Sequence, residues 1–311
     1  MRKILLLAIS AAIISVAMPA NAGPLRDRIK ERIAKREMKK AGGQTSQIPA
    51  PGATEYSYGS APLQKLDFWG AKQNNAPLVI FVHGGGWDKG DKSNATGAYK
   101  APHYNGLGYA FASINYRLLP EASVEQQAAD VASAVSYLRS NASKLGIDAS
   151  RIVLMGHSAG AHLVALVGTD PHYLRAAGLS QGDLKGVITL DGACYDVPAQ
   201  MSDGPDIMQD TYRKAFGSDP ARQRALSPTW QAAAPNVSPF LIMHVERNDG
   251  TRQSEGLSNA LRQAGVPVQL TGVKGKGLKG HMEINRSLGD PGYAGTAIVD
   301  AWLATRFGRR G

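Results

Sequence analysis

The chain has 311 residues, a formal net charge of +10, 43% hydrophobic residues and one cysteine, Cys194. That length and apolar content suit one large body with a sizeable core, and a lone cysteine excludes an internal disulfide. The charge excess does not mark a nucleic-acid surface, because much of it sits in one stretch, GPLRDRIKERIAKREMKKA, with eight basic and three acidic residues.

The first 22 residues, MRKILLLAISAAIISVAMPANA, place Arg2 and Lys3 before an apolar run and end in Ala20-Asn21-Ala22. This pattern predicts a secretory signal peptide cut after Ala22, hence a secreted or periplasmic product. The apolar run is shorter than the roughly 20 residues that a membrane span requires. Residues 23–55 then read as a basic helical arm and linker. Leu25, Ile29 and Ile33 recur every four residues on one face, which is expected to pack on the body or to meet an anionic envelope surface. The stretch AGGQTSQIPAPGA is a flexible connector.

The body, residues 56–311, alternates short apolar runs with segments of helical spacing. Strands are expected at Leu63–Trp69, Leu78–His83, Tyr109–Asn115, Ile152–Met155, Val187–Leu190, Phe240–Val245 and Val268–Val273. Helices are expected at Val124–Leu145, Ala159–Val167, Gln253–Ala264 and Ala294–Phe307. Strands rich in Val, Ile and Leu, separated by helices, predict an α/β fold: a mostly parallel central sheet with helices on both faces. Function in such sheets gathers at the carboxyl ends of the strands.

The informative segments stand there. FVHGGGW, residues 81–87, follows a strand with successive glycines, whose backbone amides can point into a cavity without Cβ obstruction. Acyl transfer needs such donors where charge develops on the tetrahedral oxygen, so Gly85, Gly86 and the amide of Ala159 are the candidate oxyanion donors. Gly156-His157-Ser158-Ala159-Gly160 sits between a strand and a helix. A Gly-x-Ser-x-Gly arises about 0.3 times by chance in a chain of this composition, so its weight comes from context. There, Ser158 is the candidate nucleophile on a strained turn. Trp87, beside the glycine loop, is expected to wall an acyl or aryl pocket or to pack in the core; His157 is the other candidate substrate contact.

A serine needs a base, and the base an orienting carboxylate, in the chain order serine, acid, histidine. Of the histidines after Ser158, His162 lies along the same helix, His172 lies in a loop and His244 lies inside an apolar strand. His281, expected in a loop after the last strand, is the candidate base. FLIMHVERNDG offers Asp249 as the acid, on a turn past the strand end, with Glu246 as the alternative. Asp148 reads as a cap, Asp130 as a helix-face residue and Cys194 as a buried thiol. No metal-ligand spacing and no phosphate-binding loop is visible, so no cofactor is expected.

With those residues in place, the sequence resembles the α/β-hydrolase superfamily, in particular exported carboxylesterases of the hormone-sensitive-lipase and feruloyl-esterase-like groups. The resemblance runs from about Tyr58 to Phe307 through YGSAPLQKLDFW, HGGGW, INYRLLPEA, RIVLMGHSAGAHL, DGACYDV and GHMEINRSLGDPG. It implies a nucleophile at Ser158, a base at His281 and oxyanion donors at Gly85, Gly86 and Ala159. It implies an acid at Asp249, although the usual GxxD after the strand reads VERND here. The implied activity is hydrolysis of small acyl or aryl esters through an acyl-enzyme. NDGTRQSEGL also resembles arylformamidases, so amide or formamide hydrolysis on the same residues is the alternative; a non-catalytic binding protein would be expected to lose these parts. The segment Val197–Asn236 is expected to form a partial lid.

Overall fold

The computed structural model describes residues 51–94, 98–233 and 235–308. The expected signal peptide and most of the expected arm lie outside the described residues. One boundary moves: strand β1, Thr54–Ser57, starts within the stretch read as a linker and pairs antiparallel with β2, Lys65–Trp69.

The remaining strands are β3 (Ala76–Val82), β4 (Ala110–Ile114), β5 (Ile147–His157), β6 (Val187–Leu190), β7 (Phe240–Glu246) and β8 (Val268–Lys276). They form one sheet in the order β1-β2-β4-β3-β5-β6-β7-β8, antiparallel at the β1 edge and parallel from β4 to β8. Every residue of β3, APLVIFV, is buried. A strand can be that apolar only where both sheet faces are covered.

Helices supply the cover. They are α1 (Lys100–Gly106), α2 (Val124–Ser140), α3 (Ala142–Leu145), α4 (Ala159–Thr169), α5 (Pro171–Ala176), α6 (Val197–Asp203), α7 (Gln209–Phe216), α8 (Pro220–Ala225), α9 (Pro228–Gln231), α10 (Asn248–Gln263), α11 (Gly277–Ser287) and α12 (Ala294–Phe307). Alternation along β3 divides the core. Leu78, Ile80 and Val82 face the layer of α2, α4 and α10, whereas Val79 and Phe81 face α1, α11 and α12. The strand period of two sends successive side chains to opposite layers.

The expected helix Val124–Leu145 is interrupted. It opens on a capping box between Ser123 and Gln126, stops at Asn141, and resumes as α3. The expected helix from Gln253 begins earlier, at Asn248, so Asp249 lies in the first turn of α10 rather than on a free turn.

Candidate active site

The sharp turn at Ser158 follows from its glycines. Ser158 has φ 55° and ψ −120°, between the end of β5 and the start of α4. A Cβ on Gly160 would stand 2.2 Å from the Val82 carbonyl oxygen, and one on Gly156 would stand 2.2 Å from the Gly160 carbonyl oxygen. Strand and helix therefore meet backbone to backbone, and the hydroxyl is held out at the sheet's carboxyl edge. An L-residue in this conformation is strained by about 1–3 kcal/mol, which the surrounding packing must hold.

His281 lies on α11, a helix rather than the expected loop. Its Nε2 is 3.1 Å from Ser158 Oγ and its Nδ1 is 2.6 Å from Asp191 Oδ2. The acid expected at Asp249 is thus corrected: the carboxylate on the histidine is Asp191, the residue after β6. Asp249 is buried but directed elsewhere, accepting from Arg247 Nη1 at 2.9 Å and Gln200 Nε2 at 3.1 Å. Glu246, the alternative, is exposed and paired with Lys276. The cause is local geometry. β6 ends directly in Asp191, whose φ of 45° turns the chain back under His281, whereas α10 starts so soon after β7 that its first turn carries Asp249 away from His281.

Asp191 is fully buried and accepts further hydrogen bonds from Arg247 Nε at 3.2 Å and from the Val245 amide at 3.1 Å. Burial alone would raise its pKa, but the His281 hydrogen bond and the Arg247 charge outweigh it, holding the carboxyl well below the usual range. The sequence contained a signal for this residue: LDG places an aspartate directly at a strand's carboxyl end, the rule that singled out Asp249.

The glycine loop closes the other side. A Cβ on Gly84 would be 2.8 Å from Ser158 Cβ, so the loop backbone rests on the serine turn. Gly85 has φ 132°, and a Cβ there would be 2.1 Å from the Lys89 carbonyl oxygen. Gly85, Gly86, Ala159 and Ser158 all line one cavity of about 360 Å³.

Trp87 and His157 also border the cavity, but both are buried and both point their hydrogen-bonding groups inward. His157 Nε2–H donates to the His281 carbonyl at 2.9 Å, and the two rings stand 4.5 Å apart. Burial, then the neighbouring His281, pushes the His157 imidazole well below its ordinary pKa, keeping it neutral. Trp87 Nε1–H donates to His162 Nδ1 at 3.4 Å, and its ring packs edge-on against Phe216. His162 is buried and its Nε2–H donates to Leu226 O; burial lowers its pKa to about 4. The free Cys194 is buried and its thiol is pushed upward by burial.

The cavity's opposite wall comes from the segment expected as a lid: Pro205, Ile207, Met208, Thr211 and Tyr212 line it. Leu278 and Met282 of α11 complete a largely apolar enclosure. Among the described residues no cluster of His, Cys, Asp and Glu has the arrangement of a metal site.

Comparison with known proteins agrees with this architecture. The BD-FAE family model matches residues 66–261. Esterase LipC of Mycobacterium tuberculosis is 31% identical over 204 residues, covering 61% of this chain and 50% of LipC. Esterase LipQ of the same organism is 30% identical over 241 residues, covering 72% of this chain and 54% of LipQ. The chain therefore spans about half the length of these curated relatives. Esterase B of Lactobacillus rhamnosis superposes with a TM-score of 0.69 at 20% identity, covering 91% of this chain and 93% of that one. Est2 of Thermogutta terrifontis gives a TM-score of 0.66 at 22% identity, with 85% and 96% covered. The sheet order, the serine turn and the matched family model lead to one conclusion: this chain belongs to the BD-FAE family and has the α/β-hydrolase fold.

Proposed function

We propose that the protein is a serine carboxylesterase that cleaves small acyl or aryl esters. The observation that carries this reading is the unbroken relay from Ser158 Oγ through His281 to the buried Asp191, facing a glycine loop across an apolar cavity. In the proposed reaction His281 Nε2 takes the Ser158 proton while Oγ bonds to the ester carbonyl carbon. The backbone amides of Gly85, Gly86 and Ala159 hold the resulting oxyanion. Asp191 stabilises the imidazolium through Nδ1–H, and His281 then passes the proton to the departing alkoxide as the C–O bond breaks. Water, deprotonated by the same imidazole, attacks the acyl-enzyme and releases the carboxylic acid, restoring Ser158.

Names of relatives agree with an ester substrate. One is a probable isoprenylcysteine α-carbonyl methylesterase of Arabidopsis thaliana, 27% identical over 241 residues. The Thermogutta terrifontis esterase 2 is phosphonylated by sarin, which makes a fluorophosphonate the natural probe. The cavity, about 360 Å³ and walled by Met208, Met282, Leu278 and Ile207, suits an uncharged, short acyl or aryl group. We propose further that the product is exported to the periplasm or beyond, on the strength of the Arg2–Ala22 sequence pattern.

The test is covalent labelling with a fluorophosphonate, mapping of the adduct by mass spectrometry, and hydrolysis of p-nitrophenyl esters from acetate to decanoate. The expected result is one adduct on Ser158 and a preference for the shorter esters. An adduct on any other residue of active protein, or N-formyl amides cleaved faster than every ester, would overturn the reading.

A further inference from the structure

The proposed triad leaves two buried charged groups without a task. Arg247 ends the β7 strand region and Asp249 opens α10, and neither is needed to complete Ser158, His281 and Asp191. Burying a charged pair beside a reacting centre costs desolvation, and replacing it with apolar side chains is often neutral or stabilising. Bulk stability is therefore a weak account of it.

The geometry is specific. Arg247 Nε donates to Asp191 Oδ2 at 3.2 Å, Nη1 donates to Asp249 Oδ2 at 2.9 Å, and Nη2 donates to Gly192 O at 3.2 Å. One planar fork thus grips the acid, the backbone just after it, and a second carboxylate. Lysine, a point charge, could not make all these contacts at once. Asp249 is itself fixed by Gln200 Nε2, so the arrangement reaches α6 on the cavity's lid side.

The charge count explains the second carboxylate. Arg247 alone would neutralise Asp191 and leave nothing to favour the imidazolium that forms on His281. With Asp249 present, the group behind His281 carries a net charge of minus one. Without Arg247, the two buried carboxylates would face each other with no cation between them, and Asp191 would lose a side-chain tether.

Resting on the Ser158–His281–Asp191 reading, we propose that Arg247 and Asp249 are a paired positioning device for the reaction. Arg247 locks the Asp191 carboxylate against His281, and Asp249 restores the negative charge that Arg247 would otherwise cancel. Neither touches the reacting atoms. The aspartate nearest the family's usual acid position has become the counter-charge of the acid's support. The other groups around the imidazole are neutral His157 from the serine turn and, beneath α11, Lys100 of α1, which donates to Asn285 Oδ1 at 3.0 Å.

The test uses the full chain and the dependence of kcat/KM on pH, measured with p-nitrophenyl butyrate for R247Q, R247K and D249N. Two variants should move the acid side of the profile in opposite directions, which a merely structural ion pair would not produce. R247Q leaves net charge minus two behind the imidazole, so its acid limb moves to higher pH, by about half a unit or more. D249N leaves the group neutral, so its limb moves to lower pH by a comparable amount. R247Q should also lose about ten- to hundredfold in kcat, and D249N less than about tenfold. R247K should keep the limb within about 0.3 unit of wild type yet lose kcat, because charge is retained and the fork is not.

Limbs that move together, or not at all, in folded variants that still label at Ser158 overturn the proposal. Should R247Q fail to fold, D249N decides alone, and an unmoved or upward limb refutes the idea. The triad reading has its own control: D191N activity equal to wild type would sink that reading, whatever the limbs do.

Discussion

Replacing Asp191 by asparagine separates the structure from the sequence expectation most sharply. The carboxylate is fully buried and takes His281 Nδ1–H at 2.6 Å, the shortest contact of the relay. A carboxamide is neutral, and its NH2 can donate to Nδ1, which moves the ring proton to Nε2. There it opposes the Ser158 hydroxyl, 3.1 Å away, and the base is lost. The charged hydrogen bond contributes about 1.5–3 kcal/mol. With the tautomer penalty and the lost imidazolium stabilisation, the barrier should rise by about 4–5 kcal/mol, or about 10³- to 10⁴-fold in kcat/KM. Asp249, held by Arg247 and Gln200, has no bond to the imidazole, so D249N should stay within about tenfold of wild type. The assay is p-nitrophenyl butyrate hydrolysis near pH 8, with thermal melting to verify the fold. D191N within tenfold of wild type, or D249N falling as far as D191N is expected to fall, would refute the reasoning.

Other consequences follow from the packing around the serine turn. Gly160→Ala drives a methyl into the Val82 and His83 carbonyl oxygens at 2.2 and 2.5 Å, so the turn must shift. Fluorophosphonate labelling should slow at least about hundredfold and stability fall by about 2–4 kcal/mol, and labelling at the wild-type rate would contradict this. Ser158→Gly removes the φ 55° strain that Ser158→Ala retains, so of these two inactive variants the glycine form should melt no lower. His162, lowered to about 4, is kept neutral in the fold while the unfolded chain titrates near 6.5. Because the unfolded state binds the extra proton, this contribution is intact above about pH 6.5. It is lost as pH falls towards 4, by at most ~3 kcal/mol. Urea unfolding at pH 7, 5.5 and 4.5 should show wild type losing more stability than His162→Gln, and parallel losses would count against it.

The sequence carried more of this site than of its exact wiring. The strand positions were legible because parallel strands buried on both faces are continuously apolar, as APLVIFV shows. Ser158 and the glycine loop were legible because their constraints are local: a backbone that must pass another backbone at about 2 Å admits only glycine. His281 emerged from chain order, although the helix that carries it did not, since GKGLKGH looks like a loop until it packs on β7 and β8. The helix break at Asn141 and the early start of α10 were likewise decided by packing.

The acid could not be chosen from sequence. Asp191 and Asp249 both follow apolar strands, and both end up buried; nothing in the residues ranks them. Sequence fixes which side chains a strand end offers, because period and composition act along the chain. Which carboxylate meets the imidazole depends on the φ of 45° at Asp191, on the immediate start of α10, and on an arginine that draws Asp249 away. These are distances between elements separated by 90 residues, Asp191 to His281, and only the packed sheet sets them.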